Sequence, residues 1–273
     1  MIFVQVTDTH IMSRGQSVLG LDPVARLEAC IADINRNRGD ASFCVFTGDL
    51  TDRGEWEGYS VLRDCLAYLE LPYYLMVGNH DRRAPFLANF PEALRDEDGF
   101  VQFGLSTPVG RLLFLDTLDE GRSAGLYCDR RCRWLSNRLI EAGSNPVYLF
   151  MHHPPFDIGI PSLDRMKLDG ADAFTEALAG PADIRHIFLG HVHRPVSGSW
   201  RGIPFSALPS TNHQIAADFE TVSPLPYCHE TPAYAIVDLD ADRTLVHLHR
   251  YLDDGNIRRS DGERVTPGGE KRD

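Results

Sequence analysis

Apolar positions follow two rhythms along this chain. Short, nearly continuous runs alternate with stretches where apolar residues return every three or four positions. Ile2 to Val6 is the first run, and a run of that length bounded by polar residues predicts a buried strand. Asp22-Pro23 then supplies an N-cap and a first-turn proline for a helix with Val24, Leu27, Ile31 and Ile34 on one face, closed by Gly39. Phe43 to Phe46 predicts a second strand, Trp56 to Leu69 a second helix and Tyr73 to Val77 a third strand. The order β-α-β-α-β implies parallel strands joined by right-handed crossovers.

A looser stretch runs through Asp98. Val101 to Phe103 and Arg111 to Leu115 then predict a hairpin turned at Pro108-Val109-Gly110. Cys128 to Ala142 and Ala171 to Leu178 read as helices, Val147 to Met151 and His186 to Leu189 as buried strands, so a second alternating block follows the first. Ser197 to Trp200, Pro204 to Leu208, Tyr234 to Asp238 and Thr244 to Tyr251 have strand character. Between them, residues 211–233, with Pro224, Pro226 and Pro232, predict a long ordered loop of the kind that carries function in compact domains. The expected organisation is one α/β (α+β) domain over residues 1–252 and a flexible tail over 253–273.

Composition narrows the partners. The chain has 273 residues, 43% hydrophobic and 24% charged, enough for an ample core. The opening MIFVQVTDTH has no signal-peptide character, and no stretch approaches the roughly 18 apolar residues of a membrane span, so a cytoplasmic protein without a membrane partner is expected. A net charge of -12 repels polyanions and favours a small substrate over long nucleic acid. The six scattered cysteines form no C-x-x-C pair and read as buried free thiols.

Five strand ends carry metal-ligating side chains: Asp8 and His10; Asp49 after Gly48; Asn79, His80 and Asp81 after Gly78; His152 and His153; and His191 and His193 after Gly190. In open α/β sheets ligands bind at the carboxyl ends of strands. Residues two apart on an extended backbone point to the same side, which would pair Asp8 with His10 and His191 with His193. The glycines would let the backbone turn tightly at each site. A carboxylate can bridge two cations, making Asp49 the natural shared ligand. Mixed oxygen and nitrogen donors without cysteine favour manganese, iron, cobalt or zinc. Each motif alone is weak; five in order are not.

D-x-H, G-D, G-N-H-D, a histidine-bearing strand end and G-H-x-H, in this order over roughly residues 1 to 250, resemble the calcineurin-like metallophosphoesterases, and within them bacterial class III cyclic nucleotide phosphodiesterases and glycerophosphodiesterases. The resemblance implies a four-layer α/β/β/α sandwich of two mixed β-sheets with flanking helices. It implies one metal held by Asp8, His10, Asp49 and His193 and a second held by Asp49, Asn79, His152 and His191. Two such cations lower the pKa of a shared water, making hydroxide the nucleophile, and clamp phosphate oxygens. No G-x-S-x-G elbow competes.

His80 is the candidate for stabilising developing phosphate charge or protonating the leaving oxygen, with Asp81 orienting it or capping a helix. His153 is expected to pack or support a ligand. His213 is placed near the substrate pocket by the resemblance, with Tyr227 and His229 as weaker candidates in the same loop. The expected activity is hydrolysis of small phosphodiesters, 3',5'-cyclic nucleotides or glycerophosphodiesters. The alternatives are a phosphomonoesterase or protein phosphatase, a nuclease and a non-catalytic metal-bound scaffold. Apolar residues in 211–233 predict a homodimer or larger homo-oligomer in which this loop caps a neighbour's site.

Overall fold

A computed structural model describes residues 1–253, so most of the expected tail lies outside the described residues. The first block is β1 (Ile2–Val6), α1 (Pro23–Asn37), β2 (Cys44–Thr47), α2 (Trp56–Leu66), β3 (Tyr73–Met76) and α3 (Arg83–Asn89). The second runs through β4 (Phe103–Thr107), β5 (Gly110–Leu115), β6 (Gly125–Leu126), α4 (Asp129–Ala142), β7 (Pro146–Met151), α5 (Pro161–Asp164), β8 (Leu168–Asp169), α6 (Ala171–Ala177) and β9 (Asp183–Leu189). The chain continues with β10 (Val196–Trp200), β11 (Ile203–Ala207), β12 (Gln214–Ile215), β13 (Tyr227–Cys228), β14 (Tyr234–Leu239) and β15 (Thr244–His249).

Two mixed sheets result, ordered β15-β14-β1-β2-β3 and β10-β11-β9-β7-β5-β4. β1, β2 and β3 are parallel, as the alternating pattern requires, and so are β5, β7, β9 and β11. Strands covered on both faces need continuous apolar runs, and successive residues of β1 show it: Val4 and Val6 pack with α1 and α2, while Phe3 joins a different cluster shared by the two sheets. That shared cluster holds an aromatic ladder, with Phe103 and Phe114, Phe114 and Phe150, and Phe150 and Phe188 at centroid separations of 4.5, 4.5 and 4.7 Å. A third cluster packs α4 and α6 on the second sheet. The mixed α/β class expected from the sequence is the class observed.

Several boundaries differ for local reasons. The loose stretch before Asp98 contains α3, a helix of only seven residues in which Phe86 and Asn89 alone are buried, too short for a periodic signal. The hairpin begins at Phe103 rather than Val101, because the Val101 amide donates to the Asp116 carboxylate (2.9 Å) instead of to a neighbouring strand. Helix α2 stops at Leu66 and β15 at His249. The 211–233 segment is not wholly loop, since β12 and β13 pair within it. Of the six free cysteines, Cys30, Cys44 and Cys65 are buried as expected, but Cys128, Cys132 and Cys228 are only half-buried.

One buried histidine lies away from the strand ends. His186 on β9 contacts the Ser206 hydroxyl at 2.9 Å and tilts against Phe188 at 4.4 Å. Burial pulls its pKa down to about 4. The unfolded chain therefore binds the extra proton between pH 6.5 and 4, so stability is constant above that window and falls as pH drops through it. The upper bound on this loss is about 3 kcal/mol. The stability difference between the wild type and His186→Leu, from urea unfolding at pH 7 and at pH 4, should shrink by up to that amount; an unchanged difference would show His186 charging freely in the fold.

Candidate metal centre

All five strand ends converge where the two sheets meet. The seam is tied by Gln5, whose amide donates to the Leu189 carbonyl and the Thr47 hydroxyl, both at 3.2 Å. Asp8 and His10 follow β1, Asp49 follows β2 and Asn79 follows β3; His152 follows β7, and His191 and His193 follow β9.

The backbone that presents them is not extended. Asp8, His10, Asp49, His191 and His193 have φ of 53°, 46°, 48°, 67° and 49°, so five of the seven expected ligands occupy the left-handed region that L-residues avoid. The pairing expected from period-two geometry is therefore achieved by tight turning after each strand, locked by His10 N–H to Asp49 carbonyl (2.9 Å) and Asp8 N–H to Gly48 carbonyl (3.1 Å). The glycines act differently from one another. Gly48 does adopt positive φ, at 97°. Gly190 does not, and its value is space: a Cβ there would lie 2.5 Å from the Thr47 carbonyl and 2.7 Å from His152 Nδ1. Gly78 is crowded in the same way by Asp49 and His152.

One ligand atom each from Asp8, His10, Asp49 and His193 lies within 4.8 Å of the other three. His10 Nε2 and His193 Nε2 face each other at 3.2 Å, and His193 Nε2 is 3.2 Å from Asp8 Oδ1. His193 Nδ1–H donates to the His213 carbonyl at 2.9 Å, which leaves its Nε2 lone pair pointing at another ring nitrogen. The second group lies alongside. His152 Nε2 is 3.4 Å from Asp49 Oδ2 and 3.2 Å from Asn79 Oδ1, and His191 Nδ1 is 2.9 Å from the same Asn79 oxygen. His152 Nδ1–H donates to the Thr47 carbonyl at 2.8 Å, fixing that ring's tautomer as well.

Electrostatics favour a cation at both places. Burial opposes ionisation of Asp8, yet His193 and His152 outweigh it and hold the carboxyl at about 2; Asp49 is held well below the usual range against burial by His152 and His80. Burial keeps His191 at about 3, neutral and ready to ligate, and holds His10 below its ordinary value. Burial also resists charge on His152, but Asp49 and Asp8 lift it to about 9. Positive charge is thus wanted between these carboxylates, and metal entry would displace the proton that otherwise supplies it. Opposed ring lone pairs, buried carboxylates and an amide oxygen between two histidines fit two cations of the kind nitrogen and oxygen donors select.

The remaining candidates divide. His80 lines the cleft beside the ligands, edge-on to His10 at 4.7 Å, and its Nδ1–H donates to the Asp52 carbonyl at 2.7 Å. Asp81 makes no hydrogen bond to His80 and caps no helix. It is buried, and its carboxylate accepts from the amides of Gly78 (2.9 Å), Leu50 (3.1 Å) and Thr51 (3.2 Å) and from the Tyr59 hydroxyl (2.9 Å), joining the loop that carries Asn79 to the loop that carries Asp49. His153 packs behind the centre, 4.8 Å from His152 and 4.7 Å from His191, with Nδ1 2.7 Å from the Thr117 hydroxyl. His213 lines the cleft, its ring 4.6 Å from that of His193. Tyr227 and His229 do not line it; His229 Nε2–H donates to the Leu19 carbonyl at 3.0 Å.

Asp52 and Arg53 were not singled out by their sequence. Both line the cleft, and the Asp52 carboxylate lies 3.3 Å from His10 Nδ1. Their signal was position, three and four residues after Asp49 on the same turn. The cleft, about 450 Å³, has this polar floor and a wall that includes Leu19, Leu163, Met166, Ile215 and Leu225.

Residues 1–195 match the family model for calcineurin-like phosphoesterases. The chain belongs to that family. Among relatives of this phosphoesterase, a probable cyclic nucleotide phosphodiesterase of Rhodopseudomonas palustris is 42% identical over 94% of this chain and 95% of that protein. A glycerophosphodiester phosphodiesterase of Enterobacter lignolyticus is 29% identical over 90% of this chain and 86% of its own length. A dimetal phosphatase of Danio rerio superposes with a TM-score of 0.70, covering 92% of this chain and 96% of that one at 14% identity, a likeness of fold alone. Among the described residues, no helix of the phosphoesterase is long and apolar enough to cross a membrane.

Proposed function

We propose that this phosphoesterase hydrolyses small phosphodiesters, with 3',5'-cyclic nucleotides and glycerophosphodiesters as the substrate classes. The convergence of seven ligand side chains from five strand ends on two adjoining points carries the reading, and relatives named for these two activities support it. Manganese, iron, zinc or cobalt suits the donors. Asp8, His10, Asp49 and His193 would hold one ion and Asp49, Asn79, His152 and His191 the other. Bound there, the pair supplies Lewis-acid activation of water and a clamp for phosphate oxygens.

His80 has the other active role. With Nδ1–H engaged by Asp52, its Nε2 is left for a substrate oxygen. Burial opposes its charge, but Asp49 and the Asp52 carbonyl raise its pKa, favouring the form that donates a proton to the leaving oxygen. His80→Asn should lower kcat by about 10² to 10³-fold with metal content unchanged; loss of metal from this variant would make His80 a structural residue. His213 and the apolar wall would hold the alcohol groups.

Hydrolysis of bis(p-nitrophenyl) phosphate against p-nitrophenyl phosphate, with metal-stripped protein and manganese, zinc or cobalt restored, tests the reading. Metal-dependent turnover favouring the diester is expected. Preference for the monoester would make the protein a phosphatase, and no turnover with any metal would leave a scaffold. Six free cysteines agree with a reducing, cytoplasmic setting, and cell fractionation should recover the protein with cytosolic markers. The exposed Phe219, Val222 and Tyr227 support the homo-oligomer expected from the 211–233 segment; a monomer by light scattering at micromolar concentration would remove that assignment.

A further inference from the structure

Two buried ring nitrogens behind the metal centre lack partners. His153 Nε2 and His191 Nε2 make no hydrogen bond among the described residues, although the two side chains are only 0% and 5% exposed. A buried polar atom in that state costs about 1 to 3 kcal/mol. The two rings are neighbours, their centroids 4.7 Å apart and their planes tilted by 47°, and one ring nitrogen each of His152, His153 and His191 lies within 4.8 Å of the other two.

His153 is seated with care for a residue that never meets the cleft, which it does not line. Its Nδ1 lies 2.7 Å from the Thr117 hydroxyl, just beyond β5. On the other side stands Gly125 of β6, where a Cβ would come within 2.5 Å of the same Nδ1, so a larger residue there would displace the ring. Thr117 Oγ1 also accepts the His153 backbone N–H at 3.4 Å.

A neutral imidazole has one N–H and one lone pair. His191 Nδ1 lies 2.9 Å from Asn79 Oδ1, so ligation through that nitrogen puts the ring proton on Nε2, where it needs an acceptor. His153 Nε2 is an unused acceptor beside it when the His153 proton sits on Nδ1 and is donated to Thr117. The reverse arrangement has the Thr117 hydroxyl donating to His153 Nδ1 and His153 Nε2–H donating to His191 Nε2. It would force the His191 proton onto Nδ1, against Asn79 Oδ1, and close that nitrogen to a cation.

We propose that His153 is a positioning residue: held by Thr117, it accepts the His191 Nε2 proton, directly or through one water, and so keeps the His191 Nδ1 lone pair on the metal position shared with Asn79 and His152. The inference rests on the ligand assignment made with the phosphodiesterase reading above. It gives the second histidine of the His152-His153 pair a task apart from ligation and from substrate contact.

Zinc titration of the metal-stripped protein against a chromophoric chelator tests this. The wild type should take two ions. His153→Leu should weaken one site by about 10 to 100-fold and leave the other unchanged, whereas His153→Gln, whose side-chain oxygen can accept the same proton, should restore most of that affinity. Thr117→Val, which keeps the side chain's shape, should weaken the same site about threefold or more. Equal losses in His153→Leu and His153→Gln would reduce His153 to packing and overturn the inference, as would two sites of wild-type affinity in both His153→Leu and Thr117→Val. Nitrogen NMR of the zinc-loaded wild type asks the question without a substitution: His153 should carry its proton on Nδ1, and a proton on Nε2 overturns the inference. A wild type that binds fewer than two ions overturns the ligand assignment, and this inference with it.

Discussion

Asp49→Asn should lower kcat/KM by about 10³-fold, or about 4 kcal/mol of transition-state stabilisation, and reduce bound metal from two ions per chain to one or fewer while leaving the circular dichroism spectrum unchanged. Asparagine is the discriminating substitution. It keeps the shape of the side chain and tolerates the φ of 48° that Asp49 adopts, so a folding defect is not confused with a ligand defect. What it removes is the negative charge that stands 3.4 Å from His152 and 3.8 Å from His10, members of the two ligand groups. An Asp49→Asn protein with full metal content and near wild-type turnover would exclude a bridging role.

The largest expected effect on stability lies behind the site. Asp116 is fully buried at the end of β5, and its carboxylate accepts from Arg83 Nε (2.8 Å) and Nη2 (2.7 Å) and from the amides of Val101 (2.9 Å) and Leu118 (3.0 Å), with Arg131 Nη1 at 3.5 Å. Arg83 follows the G-N-H-D turn by two residues, so this contact ties α3 to the second sheet. Asp116→Ala leaves the buried guanidinium of Arg131 without its carboxylate and the half-buried one of Arg83 with only Glu120, at 3.5 Å, which should cost about 3 to 5 kcal/mol. Denaturant unfolding of the metal-stripped protein measures it without the contribution of bound ions. A loss under about 1 kcal/mol would mean that the carbonyls of Asp116 and Leu118, which also accept from Arg131, suffice.

The residues that the structure brings together were legible because strand ends are marked locally: a buried apolar run followed at once by Asp8 and His10, or by His191 and His193, needs no knowledge of distant residues. Their backbone was not legible. Sequence marks left-handed φ with glycine, and Asp8, His10, His191 and His193 adopt it without glycine, held by long-range hydrogen bonds such as Ser210 Oγ–H to the Asp8 carbonyl. Asp81 was misread for a related reason, since adjacency to His80 suggested contact while its carboxylate reaches back to Leu50 and Thr51. The Arg83–Asp116 pair and the run from Thr117 through His153 to His191 bring together residues tens of positions apart, and no periodicity announces such meetings.

Each proposed metal position would draw ligands from both sheets: His193 lies with Asp8, His10 and Asp49, and His152 and His191 lie with Asp49 and Asn79. Meanwhile β14, late in the chain, pairs with β1 at its start. A chain severed in the exposed segment between α3 and β4 would therefore give two silent halves, each with part of both proposed coordination shells and each carrying strands of the first sheet. Their reassociation through β1 and β14 would switch hydrolysis on, making the enzyme a natural split reporter whose signal reads proximity of whatever is fused to its pieces.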